Sequence, residues 1–384
     1  MGHKVQLMPT SPITIPRDLL PEDGRFGCGP SKIRPQAIDA LVAAAPKLLG
    51  TSHRQEPVRQ LVGRVRAGLR ELFELPDGYE VILGNGGTTV FWDAATFGLV
   101  RKKSQHLVYG EFSARFAEAA RAAPHLHSPT VIEAPPGTSS RATAQPDIDT
   151  YCLVHNETST GVVAPIERPS GTSAANDQLV LVDATSAAGG LPVTAGEYDC
   201  YYFAPQKCFA SDGGLWIALC SDAAIARMGS IKHSGRWQPA SLDLSIARTN
   251  SNSNQTYNTP ALATLFLLAE QISWTLENGG LGWAAARCAE SAANLYGWAD
   301  RVAYASPFVA DPAERSTVVG TIDLIGVDAE AVIAVLRANG IVDTDAYRKL
   351  GRNQLRIGMF PAIEPTDVAA LTECIDFVVT RLAT

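Results

Sequence analysis

The sequence predicts an α/β protein: a large doubly wound domain on a mostly parallel sheet, then a smaller C-terminal α/β domain. Three observations carry this. Strand-like and helix-like segments alternate between about residues 57 and 220, the order that winds helices over both faces of a sheet. Continuous apolar runs, such as Leu179 to Val182 and Leu215 to Leu219, suit strands covered on both faces. Residues 276–384 repeat the alternation on a smaller scale. The expected divisions are a Pro- and Gly-rich irregular arm over 1–30, a large domain over 31–275 and a small domain over 276–384.

In chain order, residues 57–74 place Val58, Leu61, Val62, Val65, Leu69 and Leu72 on one helical face. Glu80 to Leu83 reads as a short strand, and Gly84-Asn85-Gly86-Gly87 as a tight turn. Thr88 and Thr89 open an apolar helix that runs to about Leu99. Leu107 to Tyr109 is a strand, and residues 112–122 form a helix with an alanine-rich face. Residues 134–147, with Pro135, Pro136, Gly137 and Pro146, read as a surface loop. Strands follow at 151–155, 179–183, 198–204 and 215–220. Ala261 to Ala269 reads as a core helix. In the small domain, Val318 to Ile325 is a strand, and Ala329 to Ala338 is a helix stopped by Asn339-Gly340. Leu355 to Phe360 is a strand. The terminal helix begins at Pro365 and lines up Val368, Leu371, Ile375, Val378 and Leu382.

Composition narrows the function. Of 384 residues, 46% are hydrophobic and 18% charged, enough apolar material for a sizeable core. The net charge of −7 comes with no long basic run, and Arg101-Lys102-Lys103 is an isolated cluster in a turn. No nucleic-acid or anionic-membrane partner is expected. Seven scattered cysteines form no CxxC pair and read as reduced thiols of a cytoplasmic protein, without a metal site. The segment MGHKVQLMPTSPITIP lacks the apolar stretch of a secretory signal, and Gln6 breaks the myristoylation pattern. No apolar run approaches the roughly 18 residues that a membrane span needs.

In open α/β sheets, ligands bind beyond the carboxyl ends of the strands. Asp183 closes one predicted strand, and Lys207, in FAPQKCF, follows the next. A carboxylate and an amine so placed suit pyridoxal phosphate. The lysine forms a Schiff base with the aldehyde, and the aspartate keeps the pyridine nitrogen protonated. Taken singly, each has an ordinary reading, as a turn residue or a solvated lysine. Three further segments fall at strand ends. GNGGTT at 84–89 ends in the start of a helix, whose free N–H groups can hold a phosphate. It lacks both the GK[ST] ending of a P-loop and the GxGxxG fingerprint. Phe112, in GEFSARF, offers either a ring to stack on the pyridine or an ordinary core residue. HNETSTG at 155–161 sets polar residues in a row, costly to bury unless they touch something, and Thr158 could donate to the cofactor's phenolic oxygen. Gln206 stands beside the lysine.

These segments, with FGCGPSKIR (26–34), TSHR (51–54), VDATSAAGG (182–190), NQTYNTP (254–260) and LRIGMF (355–360), run along nearly the whole chain. Together they resemble the class V aminotransferases of the fold-type I, PLP-dependent group, in the branch that aminates 3-phosphohydroxypyruvate. The resemblance implies that Lys207 carries the cofactor, Asp183 pairs with the ring nitrogen, Phe112 stacks on the ring and Thr158 bonds its hydroxyl. It implies that Thr88, Thr89 and Gln206 hold the cofactor phosphate. Asn258 and Thr259 would complete that site from the neighbouring subunit of a homodimer, while also reading as a helix start before Pro260. Arg356 matches the family's α-carboxylate arginine. His53 and Arg54 match the pair that reaches the substrate's distal anion across the dimer; a surface ion pair of Arg54 with Glu56 or Glu111 is the plainer alternative.

The chain departs from the better-known branch in three places. Phe112 stands where many members carry Trp. The glycine loop differs. AYRKLGRNQ lacks the His-Arg pair that some members use for the substrate phosphate, leaving Arg348 and Arg352 as alternatives. The implied reaction moves an amino group from glutamate to 3-phosphohydroxypyruvate, giving O-phosphoserine and 2-oxoglutarate for serine biosynthesis. Family members also take the phosphorylated hydroxythreonine precursor of vitamin B6. The rival readings are an alanine- or serine–glyoxylate aminotransferase, a cysteine desulfurase and a PLP-binding protein without turnover. A desulfurase needs a cysteine on a mobile loop, and Cys208, next to the lysine, is expected to point into packing.

Overall fold

The computed structural model describes residues 13–382, so residues 1–12 of the expected arm lie outside the described residues. The first helices are α1 (Pro35–Leu48) and α2 (Glu56–Leu72). The alternating region then runs β1 (Glu80–Asn85), α3 (Thr88–Gly98), β2 (Ser104–Val108), α4 (Glu111–Ala122), β3 (Thr130–Glu133) and β4 (Thr150–Val154). A two-stranded hairpin, β5 (Asn156–Glu157) and β6 (Val162–Val163), precedes β7 (Leu179–Asp183), β8 (Cys200–Phe203) and β9 (Leu215–Cys220). Helices α5 (Asp222–His233), α6 (Leu244–Asn252), α7 (Leu262–Glu277) and α8 (Gly280–Ala299) follow. The chain ends with β10 (Ala305–Pro307), β11 (Val319–Leu324), α9 (Ala329–Ala338), β12 (Gln354–Gly358) and α10 (Pro365–Leu382).

The seven-stranded sheet has the order β1-β9-β8-β7-β4-β2-β3. Strands β3, β2, β4, β7 and β8 run parallel. β9 is antiparallel to both its neighbours. Its run Leu215 to Leu219 therefore reflects burial on both faces and not strand direction. The return from β8 crosses only residues 204–214 and holds no helix, whereas a parallel return needs a crossover of about a dozen residues or more. β1 thus points the same way as β8, and the carboxyl ends of β1, β2, β4, β7 and β8 all meet at one end of the sheet.

Alternation along the strands splits the core between two faces. Leu83, Val180, Val182, Tyr201, Phe203 and Ile217 face α2 and α7, packing with Val58, Val65, Leu265 and Leu268. Ile82, Leu179, Leu181, Tyr202 and Trp216 face α3 to α6, against Phe91, Trp92, Phe116, Met228 and Leu244. Burial of each such side chain contributes roughly 1.5–3 kcal/mol. The second unit is a three-stranded antiparallel sheet, β10-β11-β12, covered by α8, α9 and α10 through Leu295, Val332, Leu336, Leu371 and Ile375. Most of the described arm packs on this unit, while its end at Cys28 lies in the core of the large sheet. Ile15 and Phe26 lie in its core, and Arg25 bridges to Val342. A segment without regular structure is thus anchored by two apolar residues that its Pro and Gly content concealed. Strands β3 and β10 and helices α1, α5, α6 and α8 went unread in the sequence, because they are short or lack a clean apolar stripe.

Candidate active site

A cavity of about 430 Å³ opens at the carboxyl ends of the strands. Its lining brings together Thr88, Thr89, Phe112, Thr158, Asp183, Gln206, Lys207 and Arg356. A larger open cleft, about 670 Å³, lies at the amino ends of β2, β4 and β7. Its Arg101 and Lys103 are already paired with Asp177 and Asp147.

Lys207 is 6% exposed and its Nζ donates to Thr158 Oγ1 at 2.7 Å. The amine stands 5.2 Å from the centre of the Phe112 ring. Gly29 allows this packing: a Cβ there would meet Lys207 Cε at 2.8 Å, and its φ of +135° is one that side chains rarely adopt. Burial lowers the lysine pKa from 10.5 to about 8, opposed chiefly by the charge of Asp183. The amine therefore has a sizeable neutral fraction near neutrality, as a base or nucleophile requires.

The same shift has a stability consequence. Between pH 8 and 10.5 the unfolded chain binds more protons at this lysine than the folded one, so stability rises with pH across that window. Below pH 8 the full cost of burying the charge is present. Lys207→Met is expected to stabilise the cofactor-free protein at pH 7 by about 2–3 kcal/mol, allowing for the lost hydrogen bond. Its advantage over the parent should shrink as pH rises through the window, as read by denaturant midpoints. A variant less stable than the parent at pH 7 would contradict this.

Asp183 ends β7, as the sequence placed it. Its Oδ2 accepts from Trp92 Nε1 at 3.0 Å, and its Oδ1 accepts from Thr185 N at 3.0 Å and Thr185 Oγ1 at 2.6 Å. Gly87 caps α3 with no side chain over the first turn, and nothing stands within 4 Å of where its Cβ would be. Gln206 Oε1 is buried without a hydrogen-bond partner. An open helix N-terminus that begins with two threonines, an orphaned amide oxygen, a buried amine and a buried carboxylate fit pyridoxal phosphate. Arg356 comes from β12 of the second unit. Its guanidinium donates to Thr158 O at 3.2 Å and lies 5.3 Å from the Tyr347 ring centre, while its Nε is buried and unpartnered.

Four predicted residues lie outside this lining. Thr259 Oγ1 meets His53 Nδ1 at 3.0 Å, and Asn85 Nδ2 donates to Thr259 O at 2.9 Å. Asn258 is exposed beside them. Desolvation, then the neighbouring Arg54 charge, hold the His53 imidazole below its ordinary range. Arg54 bonds Gln255 Oε1 at 3.1 Å and forms no ion pair with Glu56 or Glu111; Glu111 is taken by Arg115 and Lys349. Of the two arginines left open for the substrate phosphate, Arg352 is committed to Asp323 through both Nε and Nη2 and packs over Phe308. Arg348 is exposed, and neither lines the cavity. The residue of that segment that does is Tyr347, edge-on to Phe112 at 5.8 Å. Cys208 is buried and donates to Ser186 O at 3.3 Å, so it does point into packing.

Sequence reasoning passed over Trp92, Thr185, Tyr347 and Glu157. Glu157 is fully buried, and its carboxylate accepts from Ser113 N and Oγ, both at 2.9 Å, from Ser159 N and Oγ, and from Phe112 N at 3.4 Å. It caps α4 and so sets Phe112. Gly110 is needed there because a Cβ would stand 2.3 Å from Glu157 Cγ. A carboxylate inside HNETSTG was the available signal.

The chain belongs to the class V aminotransferases: the family model for "Aminotransferase class-V" matches residues 26–344. Within that class it is similar to phosphoserine aminotransferases. The one from Nocardioides sp. is 61% identical over 374 residues, 97% of this chain and 100% of that one. The one from Rhodococcus jostii is 58% identical over 376 residues, 98% and 100% of the two chains. Among solved structures, a phosphoserine aminotransferase from Cytophaga hutchinsonii superposes with a TM-score of 0.85 at 25% identity, covering 92% of this chain and 99% of that one. The enzyme from Bacillus circulans subsp. alkalophilus gives 0.81 at 19% identity, covering 94% and 99%, a likeness of fold alone.

Proposed function

We propose that this chain is a PLP-dependent phosphoserine aminotransferase, moving the amino group of L-glutamate to 3-phosphohydroxypyruvate and yielding O-phospho-L-serine and 2-oxoglutarate. The reaction belongs to serine biosynthesis. The observation that carries this reading is the meeting of Lys207, Asp183, Thr158 and Arg356 at one cavity, in a chain about 60% identical to named phosphoserine aminotransferases along nearly its whole length. Pyridoxal phosphate, when bound, supplies an aldehyde for amine exchange and a ring that takes up electrons from the substrate's α-carbon.

The chain's own residues do the rest. Lys207, lowered to about pKa 8 by burial, takes the proton from the α-carbon and returns one. Thr158 Oγ1 holds its Nζ in place. Asp183 receives the ring N–H, and Phe112 covers one ring face. Thr88, Thr89 and Gln206 hold the cofactor phosphate at the start of α3. Arg356 takes the α-carboxylate that both substrates share, with the planar fork suited to it. Asn258, Thr259, His53 and Arg54 serve the site of a second copy in a homodimer. Support for this comes from their clustering at the exposed surface, outside their own cavity lining. We place the division between the two units near residue 275. A cytoplasmic location is supported by seven cysteines that are all unpaired and buried. Among the described residues, no helix is long and apolar enough to cross a membrane and no cluster of metal-binding side chains occurs.

The test is a coupled assay of purified protein with O-phosphoserine and 2-oxoglutarate beside alanine and glyoxylate, with the phosphorylated hydroxythreonine precursor as a third donor. Turnover of phosphoserine at least about tenfold above alanine–glyoxylate is expected, since a site built for a charged group rejects a partner lacking it. A preference for alanine and glyoxylate would transfer the chain to the rival activity.

A further inference from the structure

The Asp183 carboxylate is held from two sides, and the donors can be counted. A carboxylate oxygen offers two lone pairs. Both on Oδ1 are taken, by the backbone N–H of Thr185 at 3.0 Å and its hydroxyl at 2.6 Å. The Thr185 hydroxyl also meets that of Thr88 at 3.0 Å, so Oδ1 is tied back to the first residue of α3. Oδ2 accepts one hydrogen bond, from the Trp92 indole at 3.0 Å. One lone pair of the carboxylate is therefore left, and it is on Oδ2. Lys207 does not use it: among the described residues the hydrogen bond of its Nζ goes to Thr158 Oγ1 and none goes to Asp183.

We infer that Trp92 is a positioning residue for the proposed reaction: its indole N–H fixes Asp183 so that the remaining Oδ2 lone pair is the acceptor for the cofactor's ring nitrogen. The inference rests on the PLP-dependent reading above. Trp92 sits one turn into α3, 4% exposed, stacked on Phe116 with ring centres 6.1 Å apart and planes at 17°. A plainer account is that Trp92 fills the core, and its N–H, which needs a partner when buried, finds the nearest oxygen. Two facts favour the positioning role. Trp92 lines the cavity itself, beside Asp183 and Thr185. Its bond also supplies the one side-chain restraint on Oδ2 among the described residues; without it the carboxylate is anchored at one oxygen only.

The two accounts separate experimentally. Trp92→Phe keeps an aromatic against Phe116 and removes the donor. Replacing Trp92 with 3-benzothienylalanine removes the N–H while keeping the bicyclic shape, which covers the case of a poorly folded Phe variant. Phe116→Leu removes the stacking partner and keeps the donor. The readouts are the dissociation constant of pyridoxal phosphate and the absorption spectrum of the bound cofactor. Loss of the N–H is expected to weaken cofactor binding roughly tenfold, as for a hydrogen bond to a charged group, and to shift the visible band. Phe116→Leu should keep the parental band. Donor-free variants that bind with parental affinity and spectrum, beside a parent that binds normally, would overturn this inference alone. So would a Phe116→Leu variant that reproduces the Trp92 shift. A parent that takes up no cofactor overturns the proposed function, and this inference with it.

Discussion

Lys207→Ala is expected to abolish amino transfer, with a loss of about 10⁴-fold or more, and to remove the visible absorbance of the linked cofactor. The expectation follows from one amine serving as both attachment point and proton carrier. Lys207 Nζ is buried at the carboxyl ends of β7 and β8, 2.7 Å from Thr158 Oγ1 and over the Phe112 ring. Its pKa of about 8 means that burial, more than any neighbouring charge, makes it basic in the useful range. Alanine leaves the carboxylate of Asp183 and the open start of α3 in place. Cofactor can still be captured, without covalent attachment. A folded variant with near-normal thermal stability and no turnover is the expected result. An unchanged absorption spectrum would falsify the assignment of Lys207.

The second large effect is at Arg356. Arg356→Ala is expected to raise KM for glutamate and for the phosphorylated substrate alike, by roughly 10²–10³-fold, the range for losing a charged partner in a desolvated site. Arg356 reaches the cavity from β12, is held by Thr158 O and stacks over Tyr347, yet keeps a buried Nε without a partner. That spare donor is what an incoming carboxylate would satisfy. Arg352→Ala supplies the comparison, because its guanidinium is already spent on Asp323. It should leave both KM values within about twofold, as expected of an exposed ion pair away from the cavity. Loss for one substrate only at Arg356 would show that the two do not share a carboxylate site.

Much of the site was legible because fold and chemistry point to the same places. Asp183, Lys207, Thr158 and Phe112 each follow an apolar run that ends in polar residues, and parallel strands deliver such ends to one rim. Trp92 was not legible. Its indole sits in an apolar helix, where nothing local separates a core tryptophan from one whose N–H meets a carboxylate. Tyr347 was passed over, and Arg352 was left as one of two alternatives, for a related reason. In AYRKLGRNQ the basic residues attract attention, but backbone geometry turns the tyrosine toward the cavity and gives Arg352 to Asp323.

The sequence by itself determined the alternating architecture, the two-sided burial of the central strands and the placement of Asp183 and Lys207 at strand ends. These are properties of residue order: hydrophobic period, strand ends and motif spacing. The tertiary structure decided the direction of β9, the packing of most of the described arm on the small unit and the partners of each charge. Those depend on contacts between residues far apart in the chain. The restraint on Asp183 Oδ2 is such a case, since it comes from a helix residue 91 positions away.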